Sequence, residues 1–341
     1  VDRARLLELV AAFSRQTIGV VGDFVLDEFV SGEISRVSRE APVLILRHRQ
    51  TDSYPGGAAN AVNNLASLGA QVLPVGVVGD DEPGQKLILQ LHARNVRAGG
   101  ILRSRDWSTA TKTRYLAGWT HTTEQQVLRV DREPRGTLPP GMEASLERKA
   151  RQVARTADAV IISDYGFGAA TPTLARGLQA KRVTLDSRYR LLQYAGTNIT
   201  AATPNEPELE AAYHEQIGTD TPKLEELGAR LRADLGLEAL LVTRGKDGMA
   251  LFEGPQTNGS GATTHIPIYG SDAPVDVSGA GDTVIAVFTL ALAAGASYLE
   301  AAHLANYAGG LVVMKRRTAV ITSAELAEVL RREATAARAR E

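Results

Sequence analysis

Gly279-Ala280-Gly281-Asp282, followed by the uncharged run Thr283-Val284-Ile285-Ala286-Val287-Phe288-Thr289-Leu290-Ala291-Leu292-Ala293-Ala294 and a stop at Gly295, decides how the chain is read. The run reads as a buried helix of about three turns with a glycine stop. The glycines then sit at its N-terminus, where the first backbone N–H groups lack intrahelical partners and the macrodipole is positive. Glycine lets an anion approach that backbone closely, so the stretch suits developing phosphate charge. Asp282 falls in the first turn, where a carboxylate can face the same anion. A base beside an anion cradle is what transfer of a phosphoryl group to a hydroxyl requires. Taken alone, the stretch equally allows a plain turn with an Asp that complements the helix dipole.

Outward from it, strands alternate with helices. Thr17–Val21, Gln71–Val78, Ala159–Ser163, Arg182–Leu185, Ile199–Thr203 and Leu240–Thr243 read as strands. Helical patterns cover Val1–Gln16, the stretch after Gly57 to Leu68, Pro83–Asn95, Pro139–Thr156, Thr171–Ala180, two segments either side of Gly218–Thr221, Ser297–Met314 and Ser323 onward, with a frayed end over Thr335–Glu341. Met249–Glu253 and Thr263–Tyr269 look like a small antiparallel addition. The pattern predicts an α/β fold: a doubly wound, mostly parallel sheet flanked by helices. Two stretches do not alternate with helices. Phe24–Arg49 and Ala110–Asp131 are strand-rich, and the second reads as a hairpin. No repeat or linker divides residues 1–341, so a single domain is expected.

In a parallel sheet the carboxyl ends of the strands lie along one edge, where ligands bind. Asp27, Asp164, Asn205, Glu208, Thr243 and the 279–282 stretch all follow a strand end or begin the next helix. Several such residues on one edge argue for a site, although a lone Asp is commonly a turn residue. Pro55-Gly56-Gly57 reads as a glycine turn opening a helix, and Asn60 falls in the first turn of that helix, pointing back toward the glycines; Asn is unfavourable inside helices, which favours a contact role. Lys112 and Arg114, two apart in a strand, share one face. Two cations there suit an anionic substrate or a solvated surface.

Composition narrows the function. The chain has 341 residues, 44% hydrophobic content and a net charge of −1, which gives no global pull toward nucleic acid or anionic membrane. It has no Cys, which excludes disulfides and thiolate metal sites and fits a reducing cytoplasm. The N-terminus lacks the apolar core of a signal peptide, and no stretch is long enough to span a bilayer. There is no G-x-x-x-x-G-K-[ST], G-x-G-x-x-G or G-x-S-x-G, and the six His show no metal-ligand spacing.

With these pieces placed, the chain resembles the ribokinase-like (PfkB-type) carbohydrate kinases over roughly Thr17 to Thr322. The motifs are Gly56-Gly57 with Asn60, Asn205 with Glu208, and Asp276-Val277-Ser278-Gly279-Ala280-Gly281-Asp282-Thr283. The resemblance implies Asp282 as general base and the backbone of Gly279, Ala280, Gly281 and Asp282 as anion hole. It implies Asp27, Gly56, Gly57 and Asn60 on sugar hydroxyls, and Asn205 and Glu208 acting through Mg²⁺ and water near the phosphates of ATP. Thr243, Gly245, Gly248 and Asn306 would line the nucleotide pocket. Asp276 and Ser278 match a loop where many members bind a monovalent cation such as K⁺. The segments about 24–49 and 110–131 would form a small β-sheet lid over the sugar, often the interface of a homodimer.

Within the family, Ser35–Val43, Lys112 with Arg114, Arg129-Val130-Asp131 and Ser163-Asp164-Tyr165 with Gly168 are similar to heptose-7-phosphate kinases of bacterial lipopolysaccharide-core synthesis. Phe167 stands where that subfamily has Lys, and Ser187-Arg188 replaces Pro-Lys. No H-x-G-H motif occurs in these residues, so no fused nucleotidyltransferase domain is expected. The implied activity is an ATP-dependent phosphotransfer to a sugar phosphate such as D-glycero-D-manno-heptose 7-phosphate, with Lys112, Arg114, Arg129, Asp164 and Arg188 around the acceptor. The alternatives are a kinase of an unphosphorylated ribose- or fructose-type sugar, and a sugar or nucleotide sensor without turnover.

Overall fold

The computed structural model describes residues 1–119, 124–254, 262–271 and 273–338, with side chains to 333. Strands β1 (Thr17–Gly22), β4 (Gln71–Gly79), β5 (Ile101–Ser104), β8 (Ala159–Asp164), β9 (Val183–Ser187), β10 (Ala201–Ala202), β11 (Ala239–Thr243), β12 (Met249–Glu253) and β13 (Ala262–Ile266) form a nine-stranded sheet. Its order is β13-β12-β11-β10-β9-β8-β1-β4-β5, parallel except for β12 and β13. The smaller sheet holds β2 (Phe24–Val37), β3 (Leu44–Gly57), β6 (Ala110–Gly118) and β7 (Gln125–Arg132) in the order β3-β2-β6-β7.

Alternation along the central strands sends side chains to two cores. Ile18, Val20 and Ile161 pack on one face with helices α1 (Arg3–Ala12), α2 (Ala58–Ser67), α3 (Glu82–Ala93), α8 (Ala280–Ala293), α9 (Tyr298–Val312) and α10 (Ser323–Arg338). Val21, Val160 and Ile162 pack on the other with α4 (Met142–Thr156), α5 (Pro172–Arg176), α6 (Glu206–Tyr213) and α7 (Thr221–Leu235). Both faces of these strands are thus buried, which is why they read as continuous apolar runs.

The family fold expected from sequence is present, with local differences. The first excursion does not stop at Arg49: β3 runs on to Gly57, so Pro55-Gly56-Gly57 is strand rather than turn. β3 is an edge strand, where Pro is tolerated. The sequence reading missed β5 entirely. The strand expected over Ile199–Thr203 pairs only at Ala201–Ala202, and α5 stops at Gly177, short of Ala180. α10 continues to Arg338 through the expected frayed end; residues 339–341 lie outside the described ones. Residues 120–123, inside the second excursion, also lie outside them.

Candidate active site

Most helices carry a side chain that accepts from their first-turn N–H groups: Asp81 for α3, Thr171 for α5, Asp220 for α7 and Ser297 for α9. α8 has none. Its cap is Gly279 at φ 77, a left-handed conformation that glycine adopts without strain. A Cβ there would overlap Asn60 Nδ2, so the position must also be glycine for packing. The N-terminus of α8 opens between two cavities.

The first, about 420 Å³, is lined by Asp27, Gly57, Lys112, Arg114, Tyr165, Asp186, Arg188, Thr203, Asn205, Glu208 and Gly279–Asp282, among others. The second, about 310 Å³, is lined by Gly245, Gly248, Met249, Ile268, Val284, Asn306, Gly309 and Val313. Thr243, Val277, Ala280 and Gly281 border both. The N-terminal end of α8 therefore sits at the junction of a polar cleft and a largely apolar one.

Asp282 is buried at that junction. Its Oδ2 accepts from Asn60 Nδ2 at 2.8 Å and its Oδ1 from the Tyr165 hydroxyl at 2.8 Å. Asn64 Nδ2 donates to Asn60 Oδ1 at 3.1 Å, which turns the Asn60 amide so that its NH₂ meets the carboxylate. Thr283 in turn donates to Asn64 Oδ1 at 3.1 Å. Burial pushes the Asp282 pKa up to about 6, against the pull of the Asn60 and Tyr165 hydrogen bonds. A carboxylate with that pKa is ionised at neutral pH and basic enough to take a proton.

Across the cleft stands the smaller sheet. Asp27 comes from β2, not from the edge of the main sheet, and pairs with Arg114 of β6 at 2.6 Å. The Arg114 guanidinium also lies 5.2 Å from the Phe29 ring centroid. Gly56 borders Asp27 so closely that a Cβ would overlap its carboxylate. Lys112 reaches the cleft and stands 4.8 Å from the Tyr165 ring centroid. Burial and the Arg188 cation lower its pKa.

Deeper in the cleft lie Asp186 and Glu208. Burial holds both above the ordinary carboxylate range, with repulsion from Glu208 and Asp282 added at Asp186 and from Asp282 at Glu208; the Arg188 cation opposes this at both, and hydrogen bonds with Asn205 oppose it at Glu208. Asn205 and Glu208 form the capping box of α6, which uses Asn205 Oδ1 and Glu208 Oε2. Two carboxylates whose charge is made costly by burial, beside the Asn205 amide oxygen, fit a hard divalent cation. Among the described residues no cluster of three His, Cys, Asp or Glu has metal-ligand geometry by itself, so any such ion would share its shell with Asn205, phosphate or water.

Three expected contacts lie elsewhere. Asp164 does not line the cleft: its carboxylate is buried and accepts from Gly166 N, Ser187 Oγ, Tyr194 Oη and the Arg190 guanidinium. Arg129 lies on exposed β7 and is bound to Asp131 at 2.9 Å. Gly56 stands behind Asp27. In the loop before α8, Asp276 Oδ1 accepts from Ser278 N and its Oδ2 from Arg317 N, each at 2.9 Å.

The profile described as pfkB family carbohydrate kinase matches residues 24–324. The chain belongs to the pfkB family of carbohydrate kinases. It is 40% identical over 325 residues to the bifunctional protein HldE of Desulfatibacillum aliphaticivorans, covering 93% of this chain and 63% of that one. It is likewise 40% identical over 329 residues to HldE of Mesorhizobium japonicum, covering 94% of this kinase and 63% of the relative. The kinase thus spans less than two thirds of the length of these relatives. Among solved structures, Arabidopsis thaliana ribokinase complexed with ribose and ATP superposes with a TM-score of 0.73 at 20% identity, over 92% of this chain and 98% of that one. Phosphofructokinase-2 from Escherichia coli in complex with potassium gives a TM-score of 0.72 at 17% identity, over 92% and 99%. The two structures share the fold.

The sequence reading left four cleft or supporting residues of this kinase without a role. Asn64 was detectable as the i+4 neighbour of Asn60 on one helix face. Asp186 ends a strand on the expected edge. Tyr165 follows Asp164 directly. Thr203 gave no signal; its hydroxyl is buried without a hydrogen-bond partner and lines the cleft.

Proposed function

We propose that this kinase transfers the γ-phosphoryl group of ATP to a sugar that already carries a phosphate, with heptose 7-phosphate at its anomeric hydroxyl as the favoured acceptor. The observation behind an anionic acceptor is the pair Lys112 and Arg188. Both line the cleft, and among the described residues neither has an ion-pair partner. Two half-buried cations that line one cleft, neither held in an ion pair among the described residues, favour an anion between them. Arg114 is already neutralised by Asp27, so its part is to brace that carboxylate for sugar hydroxyls. The resemblance to heptose-7-phosphate kinases and the shared HldE name of the relatives support this choice of sugar; Phe167 in place of Lys leaves Lys112 and Arg188 to carry the phosphate.

In this reading Asp282 takes the proton of the acceptor hydroxyl. The freed oxygen bonds to the γ-phosphorus, the bond from that phosphorus to the bridging oxygen breaks, and ADP leaves. The N–H groups at the start of α8 receive the charge that builds on the transferring group. The apolar cavity beside Asn306 takes the adenine, and Thr243, Gly245 and Gly248 border the nucleotide. Asn205, Glu208 and Asp186 would hold Mg²⁺, which supplies charge neutralisation to the phosphates. Asp276 and Ser278 would carry a monovalent cation such as K⁺ behind the anion hole.

The smaller sheet serves as the lid, since it supplies Asp27, Lys112 and Arg114. Its exposed Val37, Leu44, Val127, Leu128 and Val130 favour a homodimer of two such sheets. Among the described residues no helix is long and apolar enough to cross a membrane, which accords with work in the cytoplasm. Replacing Asp282 by Asn tests the reading. Turnover falls by at least ~10²-fold with the ATP Kd nearly unchanged, as for loss of a general base. Undiminished turnover removes Asp282 from the mechanism.

A further inference from the structure

Tyr165 is held with unusual thoroughness for a loop residue. It opens the turn after β8, and that turn is tied down by a buried carboxylate. Asp23 accepts from the N–H groups of Tyr165 at 2.9 Å, Phe167 at 3.0 Å and Ala169 at 2.9 Å. Burial pushes the Asp23 pKa up to about 6, so the protein tolerates a costly charge to fix this turn. Gly166 at φ 86 and Gly168 at φ 100 allow the tight path, and Asp164 accepts from Gly166 N at 2.9 Å. The ring is bordered by Lys112, and a Cβ on Gly57 would stand 3.3 Å from Tyr165 Cε2. All this delivers one hydroxyl to Asp282 Oδ1.

We propose that Tyr165 is a positioning residue of phosphoryl transfer: its hydroxyl fixes the rotation of the Asp282 carboxylate and favours the ionised, proton-accepting form. The proposal rests on reading Asp282 as the base. Asn60 holds one carboxylate oxygen from α2, and Tyr165 holds the other from the β8 turn. With both oxygens held, the plane of the carboxylate is fixed where it borders the cleft. A hydrogen bond to a carboxylate favours its charged form. Burial and the neighbouring carboxylate raise the Tyr165 pKa far above its ordinary value, so it donates throughout the working pH range. The other charged groups facing Asp282 are Asp27 and Lys112 from the smaller sheet, Asp186 beside Arg188 after β9, and Glu208 from α6. Tyr165 adds a neutral donor to this mixture of charges.

The test is kcat/KM against pH for the wild type and Tyr165→Phe, with heptose 7-phosphate as acceptor, together with the ATP Kd and Tm of both. One acceptor for both proteins makes its own titration cancel. Losing the donor raises the pKa of the base, so the acid limb moves up by about one pH unit. The kcat falls about tenfold near that limb, and the ATP Kd stays within about twofold. An unmoved limb, or an equal loss at every pH, overturns the proposal and leaves Tyr165 a packing residue. Asp282→Asn run alongside separates the two ideas. If it retains turnover, the base reading fails; if it is inactive while the Phe variant keeps the wild-type limb, only the role of Tyr165 fails. Should the Phe variant not fold, fluorotyrosine at position 165, a stronger donor, moves the limb down, and an unchanged limb overturns the proposal.

Discussion

Asp282→Asn makes the substrate-free protein more stable at neutral pH. Burial lifts the carboxyl from 3.8 to about 6, so ionising it costs more in the folded protein than in the unfolded chain. The folded state binds the proton more tightly. The cost is therefore complete above pH ~6 and disappears as the pH falls toward the unfolded value. About two pKa units correspond to a ceiling of ~3 kcal/mol. The amide keeps both neighbours: its oxygen accepts from Asn60, and its NH₂ donates to the Tyr165 oxygen. The shift is already net of these two hydrogen bonds to the charged form, and relaxation around the charge keeps the gain below the ceiling. A net stabilisation of ~1–2 kcal/mol follows, or a Tm higher by a few degrees. Thermal unfolding without nucleotide at pH 8 and at pH 4.5 measures it. The variant is more stable at pH 8, and the difference narrows to about a third at pH 4.5. A less stable variant at pH 8, or an equal difference at both values, refutes the argument that burial of the charge, rather than local packing, sets the cost.

Arg188→Ala and Lys112→Ala should each raise KM for a phosphorylated sugar at least ~10-fold while changing KM for ATP little, as steady-state kinetics will show; equal effects on both substrates would place these cations on the nucleotide instead. Light scattering should give twice the monomer mass, and Leu128→Asp on the exposed face of β7 should halve it. A monomer at assay concentrations removes the dimer from the account.

The legible parts of the sequence were those set by local physics. The uncharged run Thr283–Ala294 read as a buried helix, and α8 spans Ala280–Ala293. Asn60 announced itself as a poor helix residue in the first turn of α2, and it holds Asp282. The illegible parts depended on pairing between distant segments. Asp27 meets Arg114 because β2 and β6 pair in parallel, bringing Asp27 opposite Lys112. No periodicity within either strand fixes that register. The antiparallel pairing of β6 with β7 puts Arg129 opposite Arg114 on an edge strand, where Asp131 takes it. Asp164 failed for a different reason. A strand-end Asp looks alike in sequence whether it faces ligand or, as here, holds Arg190 and Tyr194 beneath the site. Pro55-Gly56-Gly57 mimicked a turn because its glycines are needed for close approach to Asp27 and Asp23, not for reversing the chain.

The acceptor screen tests the central claim most directly. The purified protein is incubated with ATP and Mg²⁺ and, in parallel, with heptose 7-phosphate, ribose, fructose and their phosphates, and products are followed by phosphorus NMR. The account predicts fastest turnover on a sugar phosphate, with a new anomeric phosphate signal from heptose 7-phosphate and ADP formed in equal amount. Efficient phosphorylation of ribose or fructose, with no product from any sugar phosphate, would contradict it.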